Sequence, residues 1–227
     1  RAAIQLIEQY LRQHPEIQEI IFSGGDPFSF PVDFVAALQE RLANINHIKI
    51  WRWHTRIPVV NPNSVTQEWL DTFLTPQKQT VVVLHIDHPR ELSPTTKSLI
   101  QQLTKRGVMV LSQTVLLQGV NADIETLSQL FRDLVCAGVK PYYLHHLDQA
   151  PGTHHYRLSI EEGRELYRSL RGHLTGLALP QYVIDLPGGY GKVPVTDLNL
   201  VDSNTYEVTN FQGQTIRYLD QATPATT

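Results

Sequence analysis

The chain has 227 residues, long enough for one large α/β domain with a sizeable core. Its formal net charge is −3 and no apolar run approaches the roughly 18 residues of a membrane span, so neither a nucleic-acid surface nor a membrane protein is expected. Cys136 is the only cysteine, which excludes a disulfide framework and a cysteine-built metal site in these residues; with no signal peptide, a cytoplasmic protein is expected.

The opening stretch "RAAIQLIEQYLRQHP" reads as an amphipathic helix that begins directly at Arg1, so a longer parent with a further upstream strand is expected. "EIIFSGGDP" is a short apolar run ending in a Gly-Gly turn, followed by the helix "VDFVAALQERLANI" and the strand "HIKIWRWHTR". "VTQEWLDTFL" reads as helix and "TVVVLHIDHP" as strand. A helix start at Ser93 and a stop at Gly107 bound "SPTTKSLIQQLTKRG". Then come the strand "VMVLSQTVLL" and the helix "DIETLSQLFRDLVCAG", in which "LVCAGV" predicts a buried thiol for Cys136 at the helix end. The strand "VKPYYLHHLD", the helix "SIEEGRELYRSLRG" and the strand "PQYVIDLP" complete the alternation.

The strands are short, β-branched and without polar alternation, as in a parallel sheet covered on both faces. Regular β-then-α order, with six strands before Gly188, implies right-handed crossovers in a barrel or a doubly wound sheet. The tail "LNLVDSNTYEVTNFQGQTIRYL" reads as a small antiparallel meander, and "QATPATT" as a disordered end. The organisation expected is a barrel over residues 1–195 and a C-terminal β extension with its tail over residues 196–227.

Polar residues collect at the C-terminal ends of these strands: Asp26, His54, Arg56, His85, His88, Gln113, His145, Asp148 and Asp185. In a parallel barrel that edge carries the βα loops that build the site. In "SGGDP" the glycines let backbone approach a ligand, while Ser23 and Asp26 can hold an ammonium or hydroxyl; an ordinary strand-to-helix turn explains the stretch equally well. His85 and His88, lacking cysteine partners, suit hydrogen bonding better than zinc. Neither "HHLD" nor "THHY" has the i, i+4 spacing of a helical metal pair. Asp148 and Asp185, read as the ends of successive strands, would repel each other unless a cation such as a substrate ammonium sat between them. Lys192, in "LPGGYGKVP", is followed by Val193 and Pro194 and does not fit a phosphate-binding loop. Its amine can capture a carbonyl such as that of pyridoxal phosphate; on the residues alone, an exposed loop lysine is the competing reading.

The ordered set "IIFSGGDP", "HTRIPVV", "LHIDHPREL", "LSQTVLLQGVN", "PYYLHHLD" and "YVIDLPGGYGKVPV" resembles the lysine 2,3-aminomutase family of radical S-adenosylmethionine enzymes, and the resemblance runs on through "NFQGQTIRY". It implies an α/β fold: a partial (β/α) TIM-like barrel of radical S-adenosylmethionine type with a small antiparallel C-terminal extension. It also implies an isomerase that moves the amino group of lysine from the α to the β carbon. The implied cofactors are a [4Fe–4S] cluster, S-adenosylmethionine and pyridoxal 5′-phosphate. By resemblance, Lys192 forms the internal aldimine with pyridoxal phosphate and His145 lies beside its ring. Ser23, Gly24, Gly25, Asp26, His85 and Gln113 would contact S-adenosylmethionine, and the carboxylates of Asp148 and Asp185 would hold the ε-ammonium of lysine.

Three departures accompany the resemblance. The cluster motif C-x-x-x-C-x-x-C is absent, so no metal ligand is expected in this chain; its cysteines are expected upstream of Arg1, and the fragment alone is expected to be inactive. Asp123 stands where clostridial relatives carry a zinc cysteine, so that zinc is doubtful. His145 resembles the branch linked to modification of elongation factor P, whereas "DLPGGYGK" resembles the free-lysine enzymes, and the branch stays open. The resemblance also implies a homo-oligomer. The alternative is a degenerate barrel that binds pyridoxal phosphate or S-adenosylmethionine without radical chemistry.

Overall fold

The computed structural model describes residues 2–75 and 77–221; the sequence end from residue 222, where a disordered tail is expected, lies outside them. Seven α-helices alternate with strands among the described residues. They are α1 (Ala2–Gln13), α2 (Val32–Leu42), the short α3 (Ile57–Val60), α4 (Gln67–Thr72), α5 (Pro94–Lys105), α6 (Ile124–Cys136) and α7 (Ile160–His173). The strands are β1 (Glu19–Phe22), β2 (Ile50–Thr55), β3 (Gln79–His85), β4 (Met109–Val115), β5 (Lys140–His145), β6 (Gln181–Asp185) and β7 (Lys192–Pro194), paired in that order in one sheet. β8 (Asn199–Asp202), β9 (Thr205–Thr209) and β10 (Thr215–Leu219) form a separate antiparallel sheet. The six strands before Gly188 and the C-terminal meander are those expected from the sequence.

Helix starts follow from short polar side chains that accept from otherwise orphaned backbone N–H groups. Ser93 accepts from Thr96 N and Thr66 from Trp69 N. Ser159 and Glu162 form a reciprocal capping box at α7.

The described residues fall into two compact units. The first holds the residues up to His85 with Glu91–Leu111 and Ala137–Val139. Its strands β1, β2 and β3 pair in parallel, and its core is aromatic: Trp53 stacks on Phe22 at 4.0 Å and Trp69 on Phe73 at 4.9 Å. The second unit holds Ile86–Arg90, Ser112–Cys136 and the residues from Lys140 onward. In it β5 pairs with β6 in parallel, and β7 returns antiparallel to β6 with Lys192 opposite Asp185.

Two expectations are corrected. β3 and β6 contain continuous buried runs, whereas β2, and β4 beyond exposed Met109, alternate between buried and half-buried positions. Trp51, Trp53 and Thr55 form the buried face of β2, while Arg52 and His54 share the other, so that face is not sealed as a fully covered sheet requires. Cys136 is exposed, not buried. The buried stripe of α6 runs through Leu127, Leu130, Phe131 and Leu134, and a residue two positions beyond Leu134 falls off that face.

Candidate functional site

In the first unit the turn after β1 is built around Asp26. One carboxylate oxygen accepts from Phe28 N at 3.0 Å and Thr55 Oγ1 at 2.6 Å; the other accepts from Arg56 N at 2.6 Å and Ile57 N at 3.1 Å. Four donors fill the carboxylate, so Asp26 joins the turn after β1 to the end of β2 and fixes both. Ser23, Gly24 and Gly25 beside it are exposed. Gly24 and Gly25 adopt φ of 80° and 56°, and a Cβ at either would meet nothing within 4 Å. The main chain there borders open space, as a cradle for a polar ligand requires. His85 ends β3. The Arg56 guanidinium pairs with Glu91 at 2.7 Å, in the same unit.

In the second unit Gln113 lies in β4, its carbonyl accepting from Ile86 N at 3.0 Å. Fully buried Asn121, given no role from the sequence, clamps the loop that follows: it donates to the carbonyls of Asp87 and Val115, each at 2.8 Å, and accepts from Leu117 N at 2.7 Å. Its signal was only the polar "GVN" after an apolar strand.

His145, Asp185 and Lys192 meet because β5, β6 and β7 are adjacent. The Lys192 ammonium donates to Asp185 Oδ2, and His145 Nδ1 lies 3.4 Å from that oxygen and 3.5 Å from Lys192 Nζ. Lys192 Nζ also sits 5.6 Å from the centre of the Tyr143 ring, a contact the sequence did not indicate. The hydrogen bond from His145, joined by Lys192, holds Asp185 down to about 2 although burial pushes the other way. Asp148 lies three residues beyond the end of β5 rather than at it. Burial first, and then the charge of Asp185, raise its carboxyl above the ordinary range. Its carboxylate has no hydrogen-bond partner among the described residues. Asp148 and Asp185 line a cleft of about 370 Å³ with Gln149, Ala150, Leu186 and Pro187.

His145 Nε2 is buried and has no hydrogen-bond partner among the described residues. Whichever tautomer the ring adopts, Nδ1 is engaged and Nε2 presents an unsatisfied donor or acceptor. A nucleophilic amine, an aromatic wall and an orphaned buried nitrogen suit a heteroaromatic aldehyde such as pyridoxal phosphate. The described residues contain no group of three or more His, Cys, Asp or Glu placed to hold a metal, and they do not fit an iron–sulfur cluster. Asp123 instead caps α6, accepting from Thr126 N at 2.7 Å. No described helix is long and apolar enough to cross a membrane.

The sequence profile of the family described as Lysine-2,3-aminomutase matches residues 167–223, the stretch that carries Asp185 and Lys192. The L-lysine 2,3-aminomutase of Haemophilus influenzae is 39% identical over 188 residues, 83% of this chain and 56% of that protein. The corresponding Escherichia coli enzyme is 38% identical over 192 residues, 85% of this chain and 56% of that protein. This chain is a homologue of the lysine 2,3-aminomutases. It spans only 50–59% of the length of such relatives. Among solved structures, Streptococcus suis SuiB, crystallised with S-adenosylmethionine, matches with a TM-score of 0.61 at 12% identity, over 82% of this chain and 44% of that one. At that identity the likeness concerns the fold, and it agrees with the partial-barrel α/β class expected for a lysine 2,3-aminomutase homologue.

Next to this site, His146 is 2% exposed and its Nδ1 lies 2.8 Å from Tyr182 Oη. Burial, and then the charge of Arg157, lower it from 6.5 to about 4. The unfolded chain therefore takes up this proton at higher pH than the folded chain. The stabilisation is complete above pH 6.5 and is lost as pH falls through about 4, roughly 3 kcal/mol in all. Urea unfolding between pH 7 and 4 will show this slope, and His146→Phe will flatten it; an equal slope in the variant would remove His146 as its source.

Proposed function

We propose that this chain is the substrate-handling part of a lysine aminomutase, an isomerase that moves the amino group of lysine from the α to the β carbon. The observation that carries the reading is the Asp185 carboxylate, which already holds an alkylammonium, that of Lys192, beside a second carboxylate without a cation of its own. A lysine ε-ammonium entering the cleft satisfies Asp148 and Asp185 together and offsets the repulsion between them. An uncharged or acidic side chain would bring no cation to Asp148, which makes the site selective for a cationic amino acid.

Lys192 is the attachment point for pyridoxal phosphate, with Tyr143 and His145 beside it and His145 Nε2 free to meet a polar atom of the ring. Bound there, the cofactor would supply a conjugated carbonyl carbon able to hold an amino nitrogen during its migration. Ser23, Gly24 and Gly25 are proposed to receive the methionine end of S-adenosylmethionine, with His85 as a further contact. Asp26 acts on that ligand through the loop it holds, because its own oxygens are occupied. The described residues do not fit the iron–sulfur cluster, and the reading leaves the cluster to another part of the protein.

Norleucine tests the reading, since it keeps the length of lysine and lacks the ammonium. The whole protein that contains this chain should turn over norleucine at least about a hundredfold less efficiently than lysine, the consequence of leaving the cleft without the substrate ammonium. Equal turnover of the two amino acids would remove the ammonium from the account.

A further inference from the structure

We propose that Asn210 and Phe211, at the tip of the β9–β10 hairpin, are positioning residues that aim the Lys192 amine; the proposal rests on the reading of Lys192 as the amine that captures the carbonyl.

Lys192 follows a loop, residues 186–191, that bends back from Asp185 so that the two residues pair across β6 and β7. Three of its residues, Gly188, Gly189 and Gly191, have φ of 80–88°, a region where side chains are strained. Within the loop, one backbone hydrogen bond, from Leu186 N to Gly191 O at 2.9 Å, closes it. A loop of glycines held by so little would let the following lysine wander.

The second hairpin supplies the missing constraint. Asn210 is 5% exposed; its Oδ1 accepts from Gln212 N at 3.0 Å and Gln214 N at 2.9 Å, which makes its turn rigid. Its Nδ2 donates across to Tyr190 O at 3.4 Å, in the glycine loop. The neighbouring Phe211 is 81% exposed, an unusual position for a large apolar ring. Its ring edge stands 3.3 Å from the point where a Cβ of Gly191 would sit. The Tyr190 ring comes within 3.0 Å of the corresponding point at Gly188, so the space beside both glycines is filled by aromatic rings, and of the three only Gly189 borders open space. Phe211 gains little from burial. Its contact is with the residue directly before Lys192, and that contact limits where the backbone of Lys192 can go.

The test follows reaction of the whole protein with pyridoxal phosphate, trapped by borohydride at timed intervals and mapped by peptide mass. Wild-type protein should label at Lys192. Phe211→Ala should label the same lysine about tenfold more slowly, the scale of rate lost when a reacting group is loosened by a fraction of an ångström. Phe211→Tyr, which keeps the ring, should restore the wild-type rate. Asn210→Asp keeps the two turn acceptors but loses the donor to Tyr190, and should also slow labelling several-fold. Thermal unfolding of Phe211→Ala should match wild type, because the ring is exposed. Unchanged labelling in Phe211→Ala, or slowing that Phe211→Tyr shares, overturns the positioning role. Failure of the wild-type protein to label at Lys192 overturns the reading of Lys192 itself.

Discussion

In the whole protein, Lys192→Ala should abolish the borohydride-reducible adduct with pyridoxal phosphate and lower lysine turnover by on the order of a thousandfold or more, as loss of a covalent attachment point does. The amine sits against Asp185, His145 and Tyr143, and the described residues offer no other lysine in that cluster. The variant should still fold. Removing Lys192 leaves Asp185 with its His145 contact and 43% side-chain exposure, so the carboxylate keeps a partner and water. A full-occupancy adduct on another lysine, measured by peptide mapping of the reduced variant, would contradict the assignment.

Asp185→Asn should weaken lysine binding and turnover by about 2–5 kcal/mol, the range for removing one side of a partly desolvated charge pair. Asn keeps the shape and one acceptor oxygen, so the loss reports the charge. Asp148→Asn should cost less. Asp148 is exposed, so water screens its charge more than that of half-buried Asp185. Asp148→Asn should not change the small turnover of norleucine, which has no ammonium to lose. Steady-state kinetics with the two amino acids will separate these cases. Parallel losses for lysine and norleucine would mean that the carboxylates support the cleft without reading the side chain.

Much of the scaffold was legible in the chain because its signals are local. Ser93 and Ser159 announce helix starts through bonds to residues three positions on, and Gly107 ends α5 with a φ of 78°. The Asp185–Lys192 pair was nearly legible too: a glycine-rich loop over residues 186–191 fits a short return, and the antiparallel β6–β7 pair brings the two ends together. The features that escaped depend on segments distant in sequence. The four donors on Asp26 come partly from residues 29 to 31 positions away, which turns an apparent ligand into a loop organiser. Phe211 reads as part of a β-turn, and only its packing on Gly191 connects it to Lys192. The half-buried positions of β2 escaped for a different reason. Trp51 and Trp53 are so apolar that they mask Arg52 and His54 beside them, and the run looks buried on both faces.

The most direct measurement is anaerobic incubation of the whole protein, carrying its cluster, with L-lysine, S-adenosylmethionine, pyridoxal phosphate and a reductant, followed by separation of α- from β-lysine. The account predicts that β-lysine accumulates, and that omitting pyridoxal phosphate or substituting Lys192→Ala prevents it. A fully loaded protein that binds all three small molecules and still forms no β-lysine would contradict it.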